Sequence, residues 1–184
     1  MQQMDLTGSI IVASPDVDEN SYFSKTVIYI VKYSAQEGAV GLIINHPLNK
    51  LENTLYVRHN DKSITLRHLD IYSGGPVDTD RGFILHFDKK IKEHDHQIQI
   101  TSSINMLKKM LQQKKHNNHR LFVFGYCGWD TGQIEQEILD DHWLVLPNTD
   151  KTIVFNTRNN KKWESALASL NIDLCRYSPY IGRG

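Results

Sequence analysis

A thiol, an indole, two amides and three carboxylates crowd into Gly125–Glu137, which reads Gly-Tyr-Cys-Gly-Trp-Asp-Thr-Gly-Gln-Ile-Glu-Gln-Glu. Cys127 lies just before an expected helix start, where a thiolate is favoured. As a nucleophile it would need a base within reach, and His86 or His142 could serve. Gln133 and Glu137 fall at i and i+4 on one helical face and could orient a ligand. Free N–H groups at the helix start could hold an anion or carboxylate. The same letters have a structural account, which we favour. Asp130 caps the helix while Gln133 reaches back, Gly125 and Gly128 allow shapes or close approaches that a Cβ would block, and Trp129 packs beneath the turn. Cys127 is then a small residue filling that turn. The stretch has neither the G-x-G-x-x-G spacing nor the P-loop ending, so nucleotide binding has little footing.

Ser73-Gly74-Gly75-Pro76-Val77 is a second backbone-shape motif, with two permissive residues before one of fixed φ. His86 ends an apolar strand and could be a general base, a ligand contact, or a histidine satisfied by a main-chain carbonyl. Asn45-His46-Pro47 closes another apolar run, where Asn45 can bond its own turn. The candidate ligand-binding set is therefore Asn45, Gly74, Gly75, Pro76, Val77, His86, Trp129, Gln133 and Glu137. His86, Cys127 and Glu137 are weak catalytic candidates. His46, His86 and His142 are too scattered for a metal site, and His94-Asp95-His96 reads as part of a solvated loop, so no metal or cofactor is expected. Lys108-Lys109, Lys114-Lys115, His116, His119 and Arg120 form the most basic stretch. Lysines late in a helix complement its dipole. The segment lacks a helix-turn-helix pattern and interleaved aromatics, which leaves nucleic acid an open but secondary partner.

The elements that must position these groups alternate along the chain. Gly8–Ala13, Thr26–Tyr33 and Ala39–Asn45 read as strands, the last two as a central antiparallel hairpin closed at Gly38. Asn49–Leu69 is ambiguous, with Leu51, Leu55, Leu66 and Leu69 placed to anchor short helical turns. Ile71–Ser73, Gly82–Phe87 and Gln97–Thr101 read as further strands, and Ser102 or Ser103 can cap a following helix. Arg120–Tyr126 is a buried strand, Thr131–Asp140 a helix, and Trp143–Leu146 and Thr152–Phe155 strands. Lys161–Leu170 is a last amphipathic helix with Trp163, Ala166, Leu167 and Leu170 on one side. This pattern predicts one α+β domain over residues 1–184, with a large, mostly antiparallel sheet and flanking helices.

With 184 residues the chain can bury a sizeable core, since a chain of ~150 residues buries roughly 70% of its unfolded surface. The 21 basic and 21 acidic side chains cancel, so no general field draws in nucleic acid or anionic membrane. No apolar run approaches the ~20 residues of a membrane span, the amino-terminal segment lacks signal-peptide features, and the two cysteines, Cys127 and Cys175, read as reduced thiols of a cytoplasmic protein.

Taken together, Gly8–Pro15, Gly41–Pro47, Gly74–Val77, Leu85-His86 and Gly125–Glu137 followed by Trp143 resemble, in order and spacing, the AlgH/YqgE-like family of bacterial proteins. The resemblance implies a single domain with a coiled, partly barrel-like sheet and a cytoplasmic setting. Some members are labelled transcriptional regulators, yet no DNA-binding motif supports that label here. The family supplies no accepted catalytic residues. Cys127 stands where relatives often have another small residue, which argues against a nucleophile. The favoured reading is a non-catalytic regulatory protein that binds an unidentified small molecule or protein partner. A small-molecule enzyme using His86, and a nucleic-acid-binding transcriptional regulator using Lys108–Arg120, are the alternatives. Oligomeric state is open.

Overall fold

The computed structural model describes residues 5–48, 54–59, 62–67, 71–87, 98–103, 105–106, 119–146 and 150–174, with backbone pairing alone for 54–59 and 62–67. Its strands are β1 (Ile10–Ala13), β2 (Val27–Ser34), β3 (Gly38–Ile43), β4 (Thr54–His59), β5 (Lys62–Arg67), β6 (Ile71–Ser73), β7 (Val77–Phe87), β8 (Ile98–Thr101), β9 (Arg120–Trp129) and β10 (Trp143–Leu146). Helix α1 spans Gln133–Leu139, a π-helical turn spans Thr152–Asn156, and helix α2 spans Asn159–Ser169.

Eight strands form one sheet in the order β10-β1-β2-β3-β9-β7-β8, with β6 on β9. All these pairings are antiparallel except β6 with β9. The path has two ends, so the expected barrel-like curvature does not become a closed barrel. The expected central hairpin is β2–β3, in the middle of the order.

Strand β1 shows why the central strands lack a polar face. Ile10 and Val12 point into one core layer, with Val27, Leu42, Leu85, Val123, Ala166 and Leu167. Ile11 and Ala13 point into the other, with Ile28, Ile43, Cys127, Trp129, Ile134 and Trp143. Side chains alternate across a strand, so covering both faces with helices buries every residue of β1. Helix α2 lies over the first layer and α1 over the second.

Two segments differ from the sequence reading. The expected helical turns in Asn49–Leu69 are instead the hairpin β4–β5, paired from Thr54↔Arg67 to His59↔Lys62. Thr-Leu-Tyr-Val-Arg-His and Lys-Ser-Ile-Thr-Leu-Arg are rich in β-branched and aromatic residues, and that propensity outweighs the leucine spacing. The expected strand Thr152–Phe155 is the π-helical turn. Asp150 Oδ1 accepts from Thr152 N at 2.7 Å, starting a helical turn. Thr157 N closes it on Thr152 O at 2.8 Å, and Ile153 and Val154 bury against α2's layer. Strand β7 also starts earlier than expected. Val77 pairs with Tyr126 but Gly82 with Phe124, so residues 78–81 bulge outward. Ser103 Oγ accepts from Met106 N at 3.4 Å, as a cap there would.

The sequence reading passed over Lys162. It is 1% exposed, on the buried side of α2. Its Nζ donates to Ile44 O at 2.7 Å and Val154 O at 2.8 Å, and lies 5.4 Å from the Tyr72 ring centroid. Burial pushes this ammonium down to about 7.

Candidate functional site

The two glycine motifs meet each other. After β6, Gly74 N donates to Phe124 O at 2.7 Å, and Gly75, at φ +153°, passes against the Tyr126 main chain. Gly125, at φ +75°, faces Gly75 O, and a Cβ on any of the three would overlap backbone. These glycines let two backbones touch. Gly74 and Gly75 are buried, and their role is to seat Pro76 and Val77 beside the end of β9.

Beside that end opens a cleft of roughly 400 Å³. Its walls are the loop residues Asp16, Val17, Asp18, Ser21 and Phe23, then Pro76 and Val77, then Cys127, Gly128 and Trp129 of β9. Gln133 and Glu137 of α1, with His142 and Trp143, complete it.

Glu137 organises the floor. Its Oε2 accepts from Trp129 Nε1 at 2.8 Å and from Trp143 Nε1 at 2.7 Å. Its Oε1 accepts from Gln133 Nε2 at 2.8 Å, and Gln133 Oε1 accepts from Asp130 N at 3.0 Å. A carboxylate thus joins α1 to β9 and β10 through N–H donors, and charge-assisted bonds of this kind are roughly twice as strong as neutral ones. The Trp143 ring stands edge-to-face against both Trp129 (6.2 Å, 82°) and Phe23 (5.7 Å, 75°). Trp129 and Trp143 are consequently buried.

The expected cap differs. Gly132, at φ 78°, occupies the N-cap position of α1 and no side chain caps it. Gln133 does reach back to Asp130 N, as expected, but Gln133 N is itself taken by Asp130 O at 3.0 Å. A helix of this length, with its first donor spent and Glu135 in its first turn, is a poor anion site.

The reactive candidates are placed as follows. Cys127 is 2% exposed and its thiol donates to Gly74 O at 3.5 Å. Burial pushes that thiol up to about 12, away from a nucleophilic thiolate. His142 lines the same cleft, exposed to solvent. His86 does not join them: its register partner Arg120 and Cys127 lie toward opposite ends of β9, roughly 20 Å apart at ~3.3 Å per residue. Asn45 is also elsewhere. It bonds the neighbouring strand rather than its own turn: Oδ1 accepts from Val27 N at 2.9 Å and Nδ2 donates to Lys25 O at 2.8 Å. That clamp holds Lys25 at φ 54°, a costly angle for a residue with a Cβ.

Of the sequence-derived set, the structure therefore gathers Pro76, Val77, Cys127, Trp129, Gln133 and Glu137 at one cleft, sets Gly74 and Gly75 beneath it, and leaves Asn45 and His86 outside. The loop Asp16–Phe23 and Trp143 were missed as site residues. They reach the cleft because β1 pairs with β10, a contact between distant parts of the chain with no local signal. Among the described residues no group of histidines, cysteines and carboxylates could hold a metal ion, and no helix is long and apolar enough to cross a membrane. Cys175, His94, His96 and most of the basic stretch, residues 107–118, lie outside the described residues.

Comparison with known proteins agrees with the sequence resemblance. A family model described as AlgH-like matches residues 10–175. The UPF0301 protein of Pseudoalteromonas translucida is 34% identical over 184 residues, covering 96% of this chain and 97% of the relative. That of Gluconobacter oxydans is 34% identical over 187 residues, covering 98% of each. The solution structure of the AlgH protein from Pseudomonas aeruginosa superposes over the full length of both chains with a TM-score of 0.69 and 29% identity. A Corynebacterium diphtheriae protein of 16% identity shares the fold at a TM-score of 0.68. The chain belongs to the AlgH-like family.

Proposed function

We propose that this protein is a non-catalytic binding protein with a regulatory role, and that the cleft over Trp129, Trp143 and Glu137 receives its ligand. One observation carries the reading: a cleft of roughly 400 Å³ is shaped by five chain segments while two of its candidate catalytic groups, Cys127 and Glu137, are already committed. Cys127 is buried and bonded to a carbonyl, and Glu137 is held by three N–H donors. A preformed concavity of about 300–1,000 Å³ with few fixed polar groups suits recognition. Nucleophilic chemistry would ask for an accessible thiolate beside a base. A free thiol in the core also suits a reducing compartment such as the cytoplasm.

A thermal-shift screen of metabolites, amines, nucleotides and short nucleic acids tests this, because a ligand of the folded state raises Tm by mass action. Val77 is exposed at the cleft edge, so Val77→Trp should occlude it without disturbing the core. We expect at least one specific stabilising ligand whose effect disappears in Val77→Trp. A ligand that stabilises both proteins equally would move the site elsewhere. A flat screen would remove the small-molecule reading.

A further inference from the structure

Resting on the binding reading above, the lining of the cleft says which sign of ligand it accepts. We infer that it takes an organic cation: an ammonium or guanidinium head on a short aliphatic stem. The whole chain balances 21 basic against 21 acidic side chains, yet the cleft does not share that balance. Among the described residues, Asp16, Asp18 and Glu137 line it, and no lysine or arginine does. Among the described lining side chains, His142 alone can carry positive charge.

Among the described residues these carboxylates have no cationic partner. The ion pairs Lys25–Glu19, Lys32–Glu37, Arg81–Asp78 and Lys161–Glu164 leave Asp16, Asp18 and Glu137 aside. Among the described residues Glu137 is met by neutral N–H groups alone, which orient the carboxylate without cancelling its charge. Carboxylates of one sign beside low-dielectric walls focus the field into a cleft and concentrate counter-charge there. The tryptophans are packed on each other and bonded to Glu137, so the carboxylates carry the recognition more than ring faces do. Val17, Phe23, Pro76 and Val77 supply apolar wall for a stem. This lining rules against the anion that free N–H groups at the helix start could have held.

The test is 1H–15N NMR titration, following the indole N–H signals of Trp129 and Trp143. Trp163 is an internal control, because its Nε1 donates to Ala13 O beneath α2, outside the cleft. The probes are n-butylammonium, n-butylguanidinium, n-butanol and n-butyrate. The two cations should shift Trp129 and Trp143, leave Trp163 unmoved, and bind at least roughly tenfold more tightly than butanol, with butyrate weakest. Asp16→Asn with Asp18→Asn should weaken the cations roughly tenfold at low salt and much less at ~0.5 M salt, where exposed charges are screened. Both positions are exposed, and asparagine in place of Asp18 retains the Oδ1 that accepts from Asn20 N. An acetylated, amidated Gly-Lys-Gly peptide separates sources: tighter binding than butylammonium identifies a protein side chain, weaker binding a free amine. Butanol or butyrate binding as well as the cations would overturn the cation assignment and leave the cleft as a site. Failure of every probe to move Trp129 or Trp143 overturns the cation assignment; a screen hit lost in Val77→Trp would still uphold the cleft.

Discussion

Helices α1 and α2 hold Glu137 and Lys162 against the sheet, and these two charged side chains are treated in opposite ways. On α1, Glu137 accepts from two indoles and an amide and borders an open cleft. On α2, Lys162 donates to two main-chain carbonyls and is sealed at 1% exposure. Both act as fasteners, tying helix to sheet with bonds to an ionisable group. Only the first keeps solvent access, so only the first leaves charge available to a visitor. A buried ionisable group is therefore a weak sign of function by itself, and the concavity beside it is the stronger one.

Removing the acid tests the larger fastener. Glu137→Ala orphans two buried indole N–H groups and frees α1 from β9 and β10. Leaving buried donors unmet costs about 1–3 kcal/mol each, so we expect a loss of roughly 3–5 kcal/mol in urea unfolding. A loss under ~1 kcal/mol would show that Glu137 is not a fastener and return it to the ligand.

The lysine leaves a signature in pH. Unfolded, Lys162 keeps its proton up to about 10.5; folded, it releases it near 7. Between those values the unfolded chain binds more protons, so stability rises with pH across that window and levels off below it. The sealed site should contribute an increase on the order of 2–4 kcal/mol from pH 7 to 10, at ~1.4 kcal/mol per unit of pKa shift. In Lys162→Met that contribution should vanish, leaving a flatter curve of stability against pH. The same slope in both proteins would mean that Lys162 reaches water.

Finer changes sharpen the contrast. Trp143→Phe keeps a ring against Phe23 and Trp129 but removes one N–H from Glu137, and should cost about 1–2 kcal/mol. The Asp16→Asn, Asp18→Asn pair should move stability by no more than ~0.5 kcal/mol, as surface changes do, while altering cation binding. A large stability loss there would make the mouth of the cleft part of its frame.

The central hairpin, the short β6 and the closing β10 were legible because alternation and turn residues are local signals. Glycine motifs at Gly74-Gly75 and Gly125 announced shape, though their contact with each other was hidden, since β6 and β9 lie far apart in sequence. Glu137 read as a ligand group because its two indole partners come from different strands. Lys162 was passed over because it sits in the polar run Asn-Asn-Lys-Lys. The available clue was its i, i+4 spacing to Ala166, which places both on the buried face. Thr152–Phe155 misled through its β-branched residues, whose propensity yields to tertiary packing.

The pairing of β1 with β10 has a consequence for synthesis. The cleft draws on residues from Asp16 to Trp143, and its floor is complete only when β10 has zipped onto β1. A nascent chain that has emerged from the ribosome only as far as β9 has no such floor. A ligand would then reward only molecules synthesised past β10, acting as a late inspector of translation products rather than a template for them.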